Sequence, residues 1–147
     1  PLETSLPELS HLLLAEFGSS IELGGYQMAE ELPGRGEVLD LTLYWRARQV
    51  PGSSYHVFVH LVRADDGTIV SQLDRIPVDW LRPTNGWREG EVLTDRYLLP
   101  IPSDLTPGSY QLYVGLYEPD TWLRLPITYQ GERQPDDQLL LTMLDYE

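Results

Sequence analysis

Hydrophobic and polar positions alternate with period two through much of this chain. Across residues 37–48, Leu39, Leu41, Leu43 and Trp45 alternate with Asp40, Thr42, Tyr44 and Arg46. That pattern predicts a strand with one buried and one wet face. Residues 55–63 put Val57, Val59 and Leu61 on one face and His56, Phe58 and His60 on the other. Apolar groups on both faces predict a central strand covered in part on each side. In residues 109–117, Tyr110, Leu112, Val114 and Leu116 share a face. Shorter runs predict further strands over residues 21–28, 69–74, 91–99, 121–127 and 139–144. The triple Leu12-Leu13-Leu14 leaves residues 11–17 open between a first strand and a short helix, because period alone does not separate the two.

Turn chemistry divides these runs. Gly24-Gly25 marks a bulge or a close backbone approach. Asp66-Gly67 reads as a hairpin turn, and Pro83-Thr84-Asn85-Gly86 and Glu118-Pro119-Asp120 as further turns. Residues 130–137 read as a polar loop. Pro107-Gly108 is followed directly by Tyr110, the arrangement of a tyrosine corner that pins one end of a sandwich. Turn signals recur at roughly the 8–12-residue spacing of such folds. The predicted fold is an all-β, immunoglobulin-like antiparallel β-sandwich of about eight strands. Residues 1–16 form a lead-in and residues 17–147 a single domain. Trp45 and Tyr110 belong inside it, and Trp87, just before a strand, plugs its end.

Composition narrows the function classes. The 147 residues include no Cys, which removes disulfides, thiolate catalysis and Cys-type zinc sites. All ten basic residues are Arg, against 23 acids, giving a formal charge of −13. Such a surface repels a phosphate backbone, so nucleic acid is a poor partner, and anionic lipid is disfavoured by the same sign argument. Without Lys there is no Schiff-base chemistry. No apolar stretch approaches the roughly 20 residues that span a bilayer, and the start carries no signal-peptide pattern. The chain opens at Pro1 rather than Met, as an excised or processed fragment would.

Candidate chemistry is sparse. His56 and His60 sit about 13 Å apart on a strand, at about 3.3 Å per residue, too far for one metal. Local hydrogen bonds on a sheet face are the expected role. Glu89 with Glu91, and Glu118 with Asp120, have the spacing of a glycosidase carboxylate pair, but nothing marks a cleft between them. Asp65 and Asp66 could offer oxygens to calcium, although further ligands cannot be located and a hairpin turn explains them. No nucleophile elbow, phosphate loop, HExxH or dinucleotide fingerprint occurs, so no catalytic residue, metal ligand or cofactor is assigned. The aromatic residues Trp80, Trp87, Trp122, Tyr113 and Tyr117 are the exception. Flat aromatic faces flanked by polar groups bind sugars, and Arg82, Asn85, Asp120 and Arg124 lie beside them in sequence. The expected carbohydrate platform is Trp80, Arg82, Asn85, Tyr117, Asp120 and Trp122. It requires Trp80 and Trp122 to be coplanar and exposed; the competing reading is aromatic packing.

An ordered set of segments adds a resemblance: 44–47 (Tyr-Trp-Arg-Ala), 57–61 (Val-Phe-Val-His-Leu), 83–91 (from Pro83 to Glu91), 95–97 (Asp-Arg-Tyr) and 105–117 (from Leu105 to Tyr117). Across residues 17–144 the chain resembles the β-sandwich domain at the C-terminal end of some bacterial membrane glycosyltransferase-like proteins, notably in Chloroflexi. Those proteins are similar to the protein mannosyltransferase class that uses dolichyl-phosphate mannose. The resemblance implies an extracytoplasmic or cell-surface accessory domain that follows a multi-span catalytic part and meets the membrane only through that parent chain. Catalytic acids of such enzymes lie in membrane-side loops, so none is carried over. Two readings stay open: a non-catalytic accessory or interaction domain with glycan or protein partners, and a carbohydrate-binding module with an aromatic platform. Oligomeric state is left open.

Overall fold

Among the described residues the chain forms ten strands, most of them from the alternating runs. They are β1 (His11–Phe17), β2 (Ile21–Met28), β3 (Val38–Ala47), β4 (His56–Arg63), β5 (Ile69–Arg75), β6 (Val92–Pro100), β7 (Gly108–Tyr117), β8 (Ile127–Tyr129), β9 (Glu132–Arg133) and β10 (Leu139–Tyr146). The computed structural model describes residues 2–147, and Pro1 lies outside it. One sheet has six strands in the order β6-β3-β2-β1-β8-β9, and the other has four in the order β10-β7-β4-β5. Every pairing is antiparallel. Inward side chains from both sheets merge into one core, with Leu41, Leu43 and Trp45 from β3 and Val57, Val59, Leu112, Val114 and Leu116 from β4 and β7. The architecture is an antiparallel β-sandwich.

The strand count is ten rather than about eight, for local reasons. Residues 11–17 are a strand, and β1 pairs with both β2 and β8. The boundary expected before Phe17 therefore falls inside the six-stranded sheet. Leu13, Ala15 and Phe17 turn inward while Leu12 and Leu14 stay exposed, so Leu on both faces hid the alternation. Residues 121–127 do not run as one strand. Pro126, which has no N–H to give a ladder, precedes the short β8, and residues 117–124 fold as a hairpin. The polar stretch 130–137 carries β9 and a short 3-10 turn.

Several local expectations hold. The β2–β3 register shifts between Leu23 and Gly25. A Cβ on Gly24 would sit 2.8 Å from Leu6 Cδ1, so the glycine pair both bulges the strand and admits the preceding segment. β4 lies between β7 and β5 and is buried from Val57 through Val62. Trp45 is fully buried, edge-on to Phe17, and its indole N–H donates to Asp95 Oδ2 at 3.1 Å. Trp87 is buried and donates to the Arg82 carbonyl at 3.0 Å, closing the 82–87 loop.

Tyr110 is fully buried, and its phenol donates back to the Thr106 carbonyl at 2.6 Å. This is the tyrosine-corner bond, tying the start of β7 to the loop that feeds it. Tyr110→Phe keeps the ring and removes that bond together with the hydroxyl's 3.0 Å contact with Thr106 Oγ1. The expected cost is about 1 kcal/mol, read as a lowered midpoint in thermal or urea unfolding; an unchanged midpoint would count against the corner.

Candidate functional site

The outer face of the four-stranded sheet carries the chemistry. Pairing of β7 with β4 and of β4 with β5 sets its rows: Tyr117 beside His56, Gly115 beside Phe58 beside Asp74, and Tyr113 beside His60 beside Gln72. Gly115 has a steric reason. A Cβ there would overlap the Phe58 ring, so only glycine lets that ring lie across the neighbouring strand. Arg124 then stacks its guanidinium 4.3 Å from the Phe58 centroid.

The hairpin after β7 builds a wall over this face. Glu118 N donates to the Leu123 carbonyl and Trp122 N to the Glu118 carbonyl, at 2.8 and 2.7 Å. Tyr117 bridges Arg124, so the returning arm lies against the end of β7. Trp122 sits in left-handed backbone at φ 65°, a conformation that is costly for a bulky residue. Its indole stacks on Tyr117 at 5.2 Å and 10°, yet the residue stays 71% exposed. One face of the indole is thus backed by protein and the other meets solvent.

A second exposed tryptophan stands at the other end of the same aromatic row. Trp80 meets His56 edge-on, and His56 meets Tyr117, at centroid distances of 5.4 and 5.5 Å. Trp80 is 54% exposed. It ends a run of three left-handed residues, Val78, Asp79 and Trp80 (φ 56°, 51° and 71°). Pro77 stops β5 from continuing, and Val78 N donates to the buried carboxylate of Asp95 at 2.7 Å. Both exposed indoles therefore sit on backbone that is strained and held by specific bonds.

Two adjoining lobes open beside Trp122. One, of ≈ 590 Å³, is lined by Phe58, His60, Gln72, Asp74, Tyr117, Trp122 and Arg124. The other, of ≈ 610 Å³, is lined by His60, Val62, Ile69, Gln111, Tyr113, Trp122, Arg124, Asp137 and Gln138. His60 Nε2 lies 3.3 Å from Asp74 Oδ1. Burial, and then the Asp74 carboxylate, push the Tyr117 phenol up to about 12, so it remains a protonated donor near neutral pH. Arg133 grips Asp137 with two bonds and holds its carboxyl below the usual range. Gln72, Gln111, Tyr113 and Gln138 have side chains without a hydrogen-bond partner among the described residues.

The expected platform residues divide. Tyr117 and Trp122 stack, with Tyr117 buried as the backing plate rather than an open face, while Trp80 reaches them only through His56 and lines neither lobe. Arg82 points elsewhere and holds both oxygens of Glu91, at 3.0 and 2.9 Å. Asn85 lies exposed in the 3-10 turn Thr84–Gly86, and Asp120 at the hairpin tip; neither lines a lobe. These three were neighbours in sequence only. Phe58, His60, Gln72, Asp74, Gln111 and Gln138 are contributors that sequence reasoning passed over. Glycine opposite an aromatic on the facing strand is the signal that could have found Phe58.

Among the other candidate acids, Glu91, Asp66 and Glu118 are engaged locally. Glu91 is buried under Arg82, and Asp66 accepts from Thr68 N and Arg63. A hollow of ≈ 620 Å³ between the 63–66 turn and the 106–109 loop is lined by that same ion pair and holds no aromatic ring. Among the described residues, no group of three His, Asp or Glu assembles to hold a metal. Comparison of the chain with protein-family models and with curated proteins finds no match, so the resemblance to membrane glycosyltransferase-like proteins rests on its sequence motifs alone.

Proposed function

We propose that this chain is a non-catalytic binding domain that takes carbohydrate on the outer face of its four-stranded sheet. The observation that carries the reading is Trp122: an open indole face, backed by Tyr117, at the junction of two lobes that mix apolar surface with polar side chains. A sugar ring presents C–H bonds on its face and hydroxyls at its rim. The indole suits the first, and the uncommitted amides and phenol around it suit the second. The commitment of Glu91, Asp95 and Asp137 to local partners supports a role without catalysis. The Tyr110 corner supports placing the sandwich with immunoglobulin-like domains, and the motif resemblance supports an extracytoplasmic accessory role on a larger protein.

A screen of immobilised glycans tests this. Trp122→Ala is expected to weaken a bound glycan about tenfold, equivalent to about 1.4 kcal/mol. The melting temperature should hardly move, because the ring is mostly exposed. A screen with no hits, or affinity indifferent to Trp122, would end the reading.

Protein docking is the second reading. Leu81 and Leu123, 74% and 70% exposed, extend the apolar surface beside each tryptophan. Loss of a partner on Leu81→Ser and Leu123→Ser, with glycan binding intact, would favour it.

A further inference from the structure

The two lobes flank Trp122 instead of ending at it. His60, Trp122 and Arg124 line both, so these three form a saddle between hollows of ≈ 590 and ≈ 610 Å³. Each lobe lies within the roughly 300–1,000 Å³ range of small-molecule sites. A single sugar stacked on the saddle would leave both hollows to water. The saddle has a free donor edge: Arg124 Nη1 donates to the Asp136 carbonyl at 2.9 Å, while Nε and Nη2 have no partner among the described residues. Gln72 stands in one lobe and Gln111 in the other, both uncommitted.

We propose that the site binds the interior of a linear glycan, with one ring stacked on Trp122 at the saddle and a neighbouring ring in each lobe. This rests on the carbohydrate reading and specifies its ligand class: an extended chain, not a terminal sugar or a monosaccharide. Arg124 Nε and Nη2 donate to ring oxygens at the saddle, and Gln72 and Gln111 hold hydroxyls on either side. A chain threaded this way has no end group to recognise.

Calorimetry with cello-, manno- and xylo-oligosaccharides from one to six rings tests it. Affinity in the bound series should rise at least about tenfold from one ring to three and then level off. Blocking either end of the hexamer should leave affinity unchanged. Gln72→Ala and Gln111→Ala should each weaken the trimer severalfold. Equal affinity for monomer and trimer, loss of binding on blocking one end, or sensitivity to only one of the two glutamines would overturn the threaded mode while leaving Trp122-dependent sugar binding in place. Failure of all three series would take both down.

Discussion

Trp45→Ala is expected to destabilise the protein by about 3–5 kcal/mol, the usual cost of deleting a large buried aromatic ring. Trp45 sits mid-strand in β3, fully buried, between β2 and β6. Its removal empties the space against Phe17 and takes one donor from Asp95 Oδ2. Partial collapse of the core will recover some of the transfer term, not the hydrogen bond. In a domain of this size the loss corresponds to a fall in melting temperature of about 10 °C or more. Trp45→Phe divides the two contributions in part, since it keeps much of the packing while losing the N–H and some ring volume. It should fall between wild type and Trp45→Ala. Wild-type stability for Trp45→Ala would overturn the inward assignment of the whole β3 face.

That face was legible because β3 obeys a strict alternation, Leu39-Leu41-Leu43-Trp45 inward, and the structure follows it residue by residue. Gly24-Gly25 and Tyr110 were legible for a different reason: each is a residue type whose backbone or hydroxyl leaves few alternatives. The site was legible only as a set of exposed aromatics. Trp80 and Trp122 are separated by 42 positions and are joined through His56 and Tyr117, a relation created by β4–β7 pairing and absent from local sequence. Arg82, Asn85 and Asp120 were drawn in by proximity along the chain, which says little about proximity across a sheet. Phe58 and Arg124 illustrate the converse, 66 positions apart and stacked. The turn at Glu118-Pro119-Asp120 was legible, but the tight return to Arg124 was not, because it depends on Trp122 adopting a backbone that its residue type disfavours.

Asp95→Ala is expected to cost about 3–5 kcal/mol, comparable with Trp45→Ala, although it removes only a small side chain. Asp95 lies on the inward face of β6 among Leu93, Tyr97 and Leu99, a lone acid in an apolar alternation. It is fully buried and accepts from Tyr97 (2.6 Å), Val78 N (2.7 Å) and Trp45 (3.1 Å), with Arg75 Nη2 at 3.7 Å. Deleting it strands three donors and leaves the Arg75 guanidinium, which also lies 4.1 Å from the Tyr97 centroid, short of its buried counter-charge. The left-handed turn carrying Trp80 loses its anchor as well, so exposed-tryptophan fluorescence should change along with stability. The pH dependence has a definite sign. Burial raises the Asp95 carboxyl above its ordinary 3.8, and the Tyr97, Val78 and Trp45 donors and Arg75 oppose that rise without cancelling it. The folded state therefore holds this proton more tightly than the unfolded chain. Its contribution to stability is complete below 3.8 and is lost as pH climbs from there through the raised folded value. Asp95→Asn has no proton to lose. Across that window the wild-type-minus-variant difference in unfolding free energy should fall with increasing pH and then flatten, as read from urea melts at a series of pH values. A difference that grew with pH would mean that the ionised carboxylate is the favoured buried form, held by Arg75 more strongly than burial opposes it.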